Sequence, residues 1–104
     1  MRAATEVFNR SRERRKVAGL IRSLGEPRVA MRPRTGGVVV VTVAWELSWY
    51  QWEVRTGDGA AIRESSKGTE VGQLAERDRE WNARVTEDGA LSLEPAPRPP
   101  GGSE

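Results

Sequence analysis

The sequence of 104 residues contains no cysteine and no histidine. The first absence excludes a disulfide framework and a thiolate metal site. The second removes the commonest general base and the commonest metal ligand. No apolar run approaches the roughly 20 residues of a membrane-spanning helix. Met1–Lys16, reading MRAATEVFNRSRERRK, lacks the apolar stretch of a secretory signal. These absences together lead us to expect a soluble cytoplasmic protein with no cofactor, no metal, no membrane association and no evident small-molecule substrate. At this length the chain forms one domain with a single modest core.

Aromatics are also few, with four Trp, one Tyr and one Phe, but they are concentrated. Three of the tryptophans and the tyrosine fall within Val38–Arg55, VVVVTVAWELSWYQWEVR. Val, Thr, Trp and Tyr suit a pleated, half-buried surface, and no Gly, Pro, Asn or Asp interrupts the run. Strand side chains alternate between faces. Val39, Val41, Val43, Trp45, Leu47 and Trp49 share one parity, and then the apolar set switches to Tyr50, Trp52 and Val54. Three arrangements absorb the switch. A β-bulge near Ser48–Tyr50 keeps one continuous core face and is the preferred reading. A tight turn at the same place makes two strands, although the usual turn residues are missing. A regular strand leaves an aromatic patch free for a second chain.

Net charge is only +2, but it is unevenly spread. Residues 1–34 carry ten Arg or Lys against three Glu, a balance of +7, and the remainder of the chain stands at −5. That asymmetry predicts a basic arm on an acidic body. Ser11 is a fair N-cap, Glu13 falls in the first turn, and Val17, Leu20, Ile21 and Leu24 form a helical stripe that Gly25 and Pro27 end. Residues 1–10 read as a flexible arm in which Val7 and Phe8 dock if the helix starts early. Glu26–Gly37, with Pro33 in it, reads as an extended linker. Asp58-Gly59 signals a hairpin into a strand over Ala60–Ser66. Thr69 caps a second, acidic helix ending near Asn82, with Trp81 as a core plug. Glu87-Asp88-Gly89 turns into a short last strand at Ala90–Leu93. Residues 94–104, EPAPRPPGGSE, read as a disordered tail.

The expected fold is therefore α+β: a small antiparallel sheet of about three strands with two helices, in the order helix–strand–strand–helix–strand, over residues 11–93. The Arg-rich start, VTVAWELSWYQWEV, the short acidic helix and the Pro-Gly tail together resemble small uncharacterised proteins of high-GC bacteria. That resemblance implies no activity.

No catalytic constellation emerges, and the chain is not expected to be an enzyme. Glu46 and Glu53 would lie roughly 23 Å apart along one strand, beyond the spacing of about 5–10 Å that glycoside hydrolysis uses. Ser65, Ser66 and Lys67 lack a partner arrangement. Two interaction readings remain. A sheet apolar on both faces, covered by short helices on one, leaves Val38, Val40, Tyr50 and Trp52 for a second copy or another protein. The alternative places a nucleic-acid backbone on Arg10, Arg12, Arg14, Arg15, Lys16 and Arg22, with Arg28, Arg32 and Arg34 following.

Overall fold

The computed structural model describes residues 1–93. The expectation for residues 94–104 lies outside them. Two helices, α1 (Arg2–Asn9) and α2 (Glu13–Leu24), precede a four-stranded antiparallel sheet of β1 (Arg28–Arg34), β2 (Val38–Trp45), β3 (Ser48–Arg55) and β4 (Ala61–Gly68). The strands pair in chain order, β1-β2-β3-β4. Two short 3-10 turns, Val71–Gln73 and Glu76–Arg79, lead to a small ladder of β5 (Arg84–Val85) with β6 (Leu91–Ser92). The class is α+β with an antiparallel sheet and two helices. The sheet has four strands rather than three, and both helices come before it.

The parity switch in the aromatic stretch is the mark of a hairpin. Trp45 pairs with Ser48, so Glu46 and Leu47 alone make the turn. A two-residue loop places odd residues of one strand opposite even residues of the next, which is the alternation the sequence displays. Neither turn residue has positive φ, so the turn avoids the glycine-demanding primed types. This is a tight turn, placed just before the Ser48–Tyr50 region where the turn alternative put it, and the bulge expected there is absent. Leu47, assigned by parity to the core, stands 79% exposed at the hairpin tip. A register shift does occur one strand later. Gln51 pairs with Ser66 and Trp52 with Glu64, leaving Ser65 as the extra residue on β4.

The linker expectation also gives way, since Arg28–Arg34 is β1, paired with β2 along its whole length. Pro33 is tolerated because β1 is an edge strand, whose alternate N–H groups point away from its neighbour. The flexible arm is instead a helix. Ala4 and Phe8 have no exposed surface, and the Phe8 ring meets Trp52 edge-on at 5.3 Å. A helix this short is marginal alone, so its packing on the sheet holds it.

Two layers of core result. Val29, Met31, Val39, Val41, Val43, Trp45, Trp52 and Val54 form one face of the sheet, covered by Phe8 and Val17 from the helices and by Val85 and Leu91. On the opposite face, Ala44 and Trp49 pack under Leu74, with Val71 and Trp81 alongside. The expected second α-helix is absent. The backbone from Thr69 to Gln73 spends its polar groups on one tertiary bond and on a local cap instead. Trp49 Nε1 donates to the Glu70 carbonyl at 2.9 Å, and Gln73 Oε1 accepts from the Thr69 and Glu70 amides.

Candidate functional site

On the helix-covered face, Trp52 is fully buried and its indole N–H donates to Glu13 Oε1 at 2.7 Å. Tyr50 stacks on it at 6.0 Å between ring centres. Lys16 closes Tyr50 from above, with Nζ 4.7 Å from the ring centre, and is ion-paired to Glu64. Tyr50 is thus only half-exposed, and Trp52 presents nothing to a partner. Trp49, on the other face, is 6% exposed. The aromatics proposed from sequence as a docking patch are largely internal packing.

The opposite face is sealed by the 3-10 segment at one end and by charge at the other. Val40 is 4% exposed, flanked across the ladder by Arg32 and Glu53. Arg32 Nε donates to the buried Asp78 at 2.7 Å. Glu53 receives Arg34 and Arg63, each at 2.9 Å. The hydrogen bond from Arg63, followed by that from Arg34, holds the Glu53 carboxyl below its usual range. Val38 remains half-exposed at the open end, beside a groove lined by Glu53, Arg55, Ala61, Ile62 and Arg63. Of the four residues proposed for partner contact, Val40 and Trp52 are therefore withdrawn into the chain's own core, and Val38 and Tyr50 keep partial access on opposite faces.

The strand edges carry a feature that no local pattern announces. The chain has two asparagines, Asn9 and Asn82, and each closes an edge. Asn82 Oδ1 accepts from the Met31 amide at 2.8 Å, and its Nδ2 donates to the Met31 carbonyl at 2.9 Å. Asn9 does the same for Leu91 of β6, at 2.7 and 3.2 Å. In an antiparallel strand alternate residues direct their backbone groups outward, so the outward set on β1 is Val29, Met31 and Pro33. Val29 is bridged to Ala83, Met31 is held by Asn82, and Pro33 has no N–H to offer. Each outward residue of β1 is thus bridged, clasped or without an N–H to offer. Among the described residues, nothing pairs with the outer edge of β4.

The basic residues divide into two groups. Arg14 faces Asp88 at 3.5 Å, and Lys16 is committed to Glu64 and Tyr50. Arg10, Arg12, Arg15 and Arg22 are exposed and have no side-chain hydrogen bond or ion pair among the described residues. Arg10, Arg12, Arg14 and Arg15 line a concavity of about 410 Å³ with Asn9 and Ser11 at the corner between the helices. A separate cleft of about 560 Å³ lies between Arg28, Arg79 and Trp81, with Glu76 and Glu80 offsetting its arginines.

Among the described residues no group of three metal-ligating side chains converges, and no helix is long and apolar enough to cross a membrane. Comparison with family models, curated proteins and solved structures gives no match for this chain.

Proposed function

We propose that the protein is a non-catalytic self-association module that pairs through β4 rather than through its aromatic face. The observation that carries this reading is the contrast between edges. The chain spends Asn82, Pro33 and the Ala83 bridge on closing β1, and leaves the outward-facing backbone groups of β4 without a strand partner among the described residues. An open edge is a template for strand addition.

A second copy fits this edge. The extra residue Ser65 lets Glu64 and Lys67 pair with Trp52 and Tyr50 respectively, so both point to the same face of the sheet. When two β4 strands run antiparallel about a twofold axis through the Ser65–Ser66 peptide, each Glu64 stands opposite the other copy's Lys67. Arg63 then stands opposite Gly68, so no like charges meet. Opposite-charge cross-strand pairs contribute about 0.2–1 kcal/mol each, and like charges are destabilising. The isologous arrangement makes the Glu64–Lys67 pair twice. Two eight-residue strands make a small interface, so association belongs to the weak class burying less than about 1,200 Å².

Sedimentation velocity at rising concentration tests the reading. Wild-type protein is expected to move from monomer to dimer, K67E to remain monomeric, and the double reversal E64K/K67E to recover the dimer. A wild-type monomer at every concentration, or a dimer indifferent to K67E, refutes it.

A further inference from the structure

We infer that α2 carries a second, independent surface, one that binds the phosphate backbones of a nucleic-acid duplex without reading its bases. At about 100° per residue, Arg12, Arg15, Gly19 and Arg22 fall within an arc of about 80° on the outer side of the helix. Val17 is buried on the opposite side, and Ala18 is buried at the margin of the arc, about 40° from Arg22. Arg10 extends the row at the helix corner.

Two features of α2 run against helix stability. Arg12 and Arg15 sit three residues apart with no acidic side chain paired to either among the described residues, and like charges at that spacing repel. Arg12 itself makes no capping bond, and Ser11 supplies the cap, its Oγ accepting from the Glu13 amide at 3.2 Å. Gly19 occupies a helix interior position, where Ala is favoured, although a Cβ there would meet nothing within 4 Å. Natural chains break such local rules where function asks for it. A bare patch of helix ringed by guanidinium groups is what close approach of a polyanion requires, since Gly19 adds no bulk between the helix and its ligand.

Part of the body's acidic charge is spent inside the chain: Glu53 pairs with Arg34 and Arg63, Glu64 with Lys16, Asp78 with Arg32, and Asp88 faces Arg14. Four carboxylates are thus ion-paired internally, while Arg10, Arg12, Arg15 and Arg22 have no such pair among the described residues. From Arg12 to Arg22 the helix rises about 15 Å, enough to reach from one backbone to the other across a major groove about 12 Å wide. Arginine suits this role because its fork matches phosphate oxygens.

The test is fluorescence anisotropy of the full chain with a labelled 20-base-pair DNA duplex and with single-stranded RNA of equal length. Four neutralised phosphates give a log–log salt slope of about −3.6 on the duplex, a loss of roughly 150-fold between about 50 and 200 mM salt. R12A and R15A are each expected to lower that slope by about 0.9, equally for unrelated duplex sequences. G19A is expected to raise the unfolding midpoint by roughly 4–8 °C, and G19L to weaken duplex binding at least about tenfold while the chain stays folded. K67E is expected to bind with the wild-type slope, which separates this surface from the β4 edge. Absence of duplex binding at low salt, tighter binding of the single strand, or an affinity unchanged in R10A/R12A/R15A/R22A overturns the inference.

Discussion

Replacing Asn82 with alanine tests how the chain manages its edges. The substitution removes two hydrogen bonds to one residue of β1, at 2.8 and 2.9 Å. Met31 is 2% exposed, so its backbone groups are poorly placed to recover water. Each lost bond is worth about 1 kcal/mol net, and more where a donor is stranded, which gives about 2–3 kcal/mol in all. Against a total stability of about 5–15 kcal/mol that is a large fraction. For a domain of this size it corresponds to roughly 10–20 °C in the unfolding midpoint. Urea denaturation followed by tryptophan fluorescence measures the first quantity, and exchange of the Met31 amide locates it. The variant N82D adds a sign. Its ionised carboxylate accepts from the Met31 amide but faces the Met31 carbonyl with its second oxygen, whereas the protonated form donates there. The folded-state pKa of the introduced acid therefore rises above its unfolded value of about 3.9. Its stabilising contact is fully present below that unfolded value and is lost as pH rises through the folded one. N82D should lie close to wild type at about pH 3 and fall well below it at about pH 7. A loss in N82A under about 0.5 kcal/mol, with Met31 protection unchanged, refutes the reasoning.

G89A should be among the most damaging single-methyl changes. Gly89 has φ of 82°, and a Cβ there would press on the Arg14 carbonyl and lie 2.8 Å from the Ala18 nitrogen, so a loss of at least about 3 kcal/mol is expected in urea denaturation. W52F removes the indole N–H that meets Glu13 and opens a void beside Phe8, for a loss of about 2–4 kcal/mol by the same assay. The depressed pKa of Glu53 contributes stability that is present above its unfolded pKa and lost as pH falls through the folded one. Wild type should therefore lose more stability than E53Q between about pH 5 and pH 3, by a small margin because the arginines are partly in solvent.

Much of the fold was legible where chemistry is local. The stripe Val17–Leu20–Ile21 and the stop at Gly25 define α2, and Asp58-Gly59 sits in the β3–β4 loop. The composition of Val38–Arg55 announced strands, and its parity switch already held the information for a hairpin. The lack of turn residues near Ser48–Tyr50 favours the bulge reading, yet Glu46 and Leu47, just before it, close the turn without positive φ. The missed elements depend on distant partners. β1 looks like a linker because it combines arginines with Pro33, and its pairing with a hydrophobic neighbour has no local period. α1 is a helix because Phe8 finds Trp52. The segment after Thr69 scans as helical, but Trp49 and Gln73 draw its backbone into 3-10 turns. The edge clasps at Asn9 and Asn82 join residues 82 and 51 positions apart, beyond the reach of any sequence window. The burial of Val40 and Trp52 was hidden for the same reason, since their covers are α1, α2 and an ionic lattice drawn from three strands.

Amide hydrogen exchange resolved by residue, and repeated across a concentration range of about 5–500 µM chosen for a weak interface, tests the role of β4 most directly. Alternate amides of β4 are expected to exchange freely in dilute solution and to gain protection as concentration rises, while those of Val29 and Met31 on β1 stay constant. Exchange on β4 that ignores concentration, or protection that grows on β1 instead, would contradict an interaction through the edge the chain leaves open.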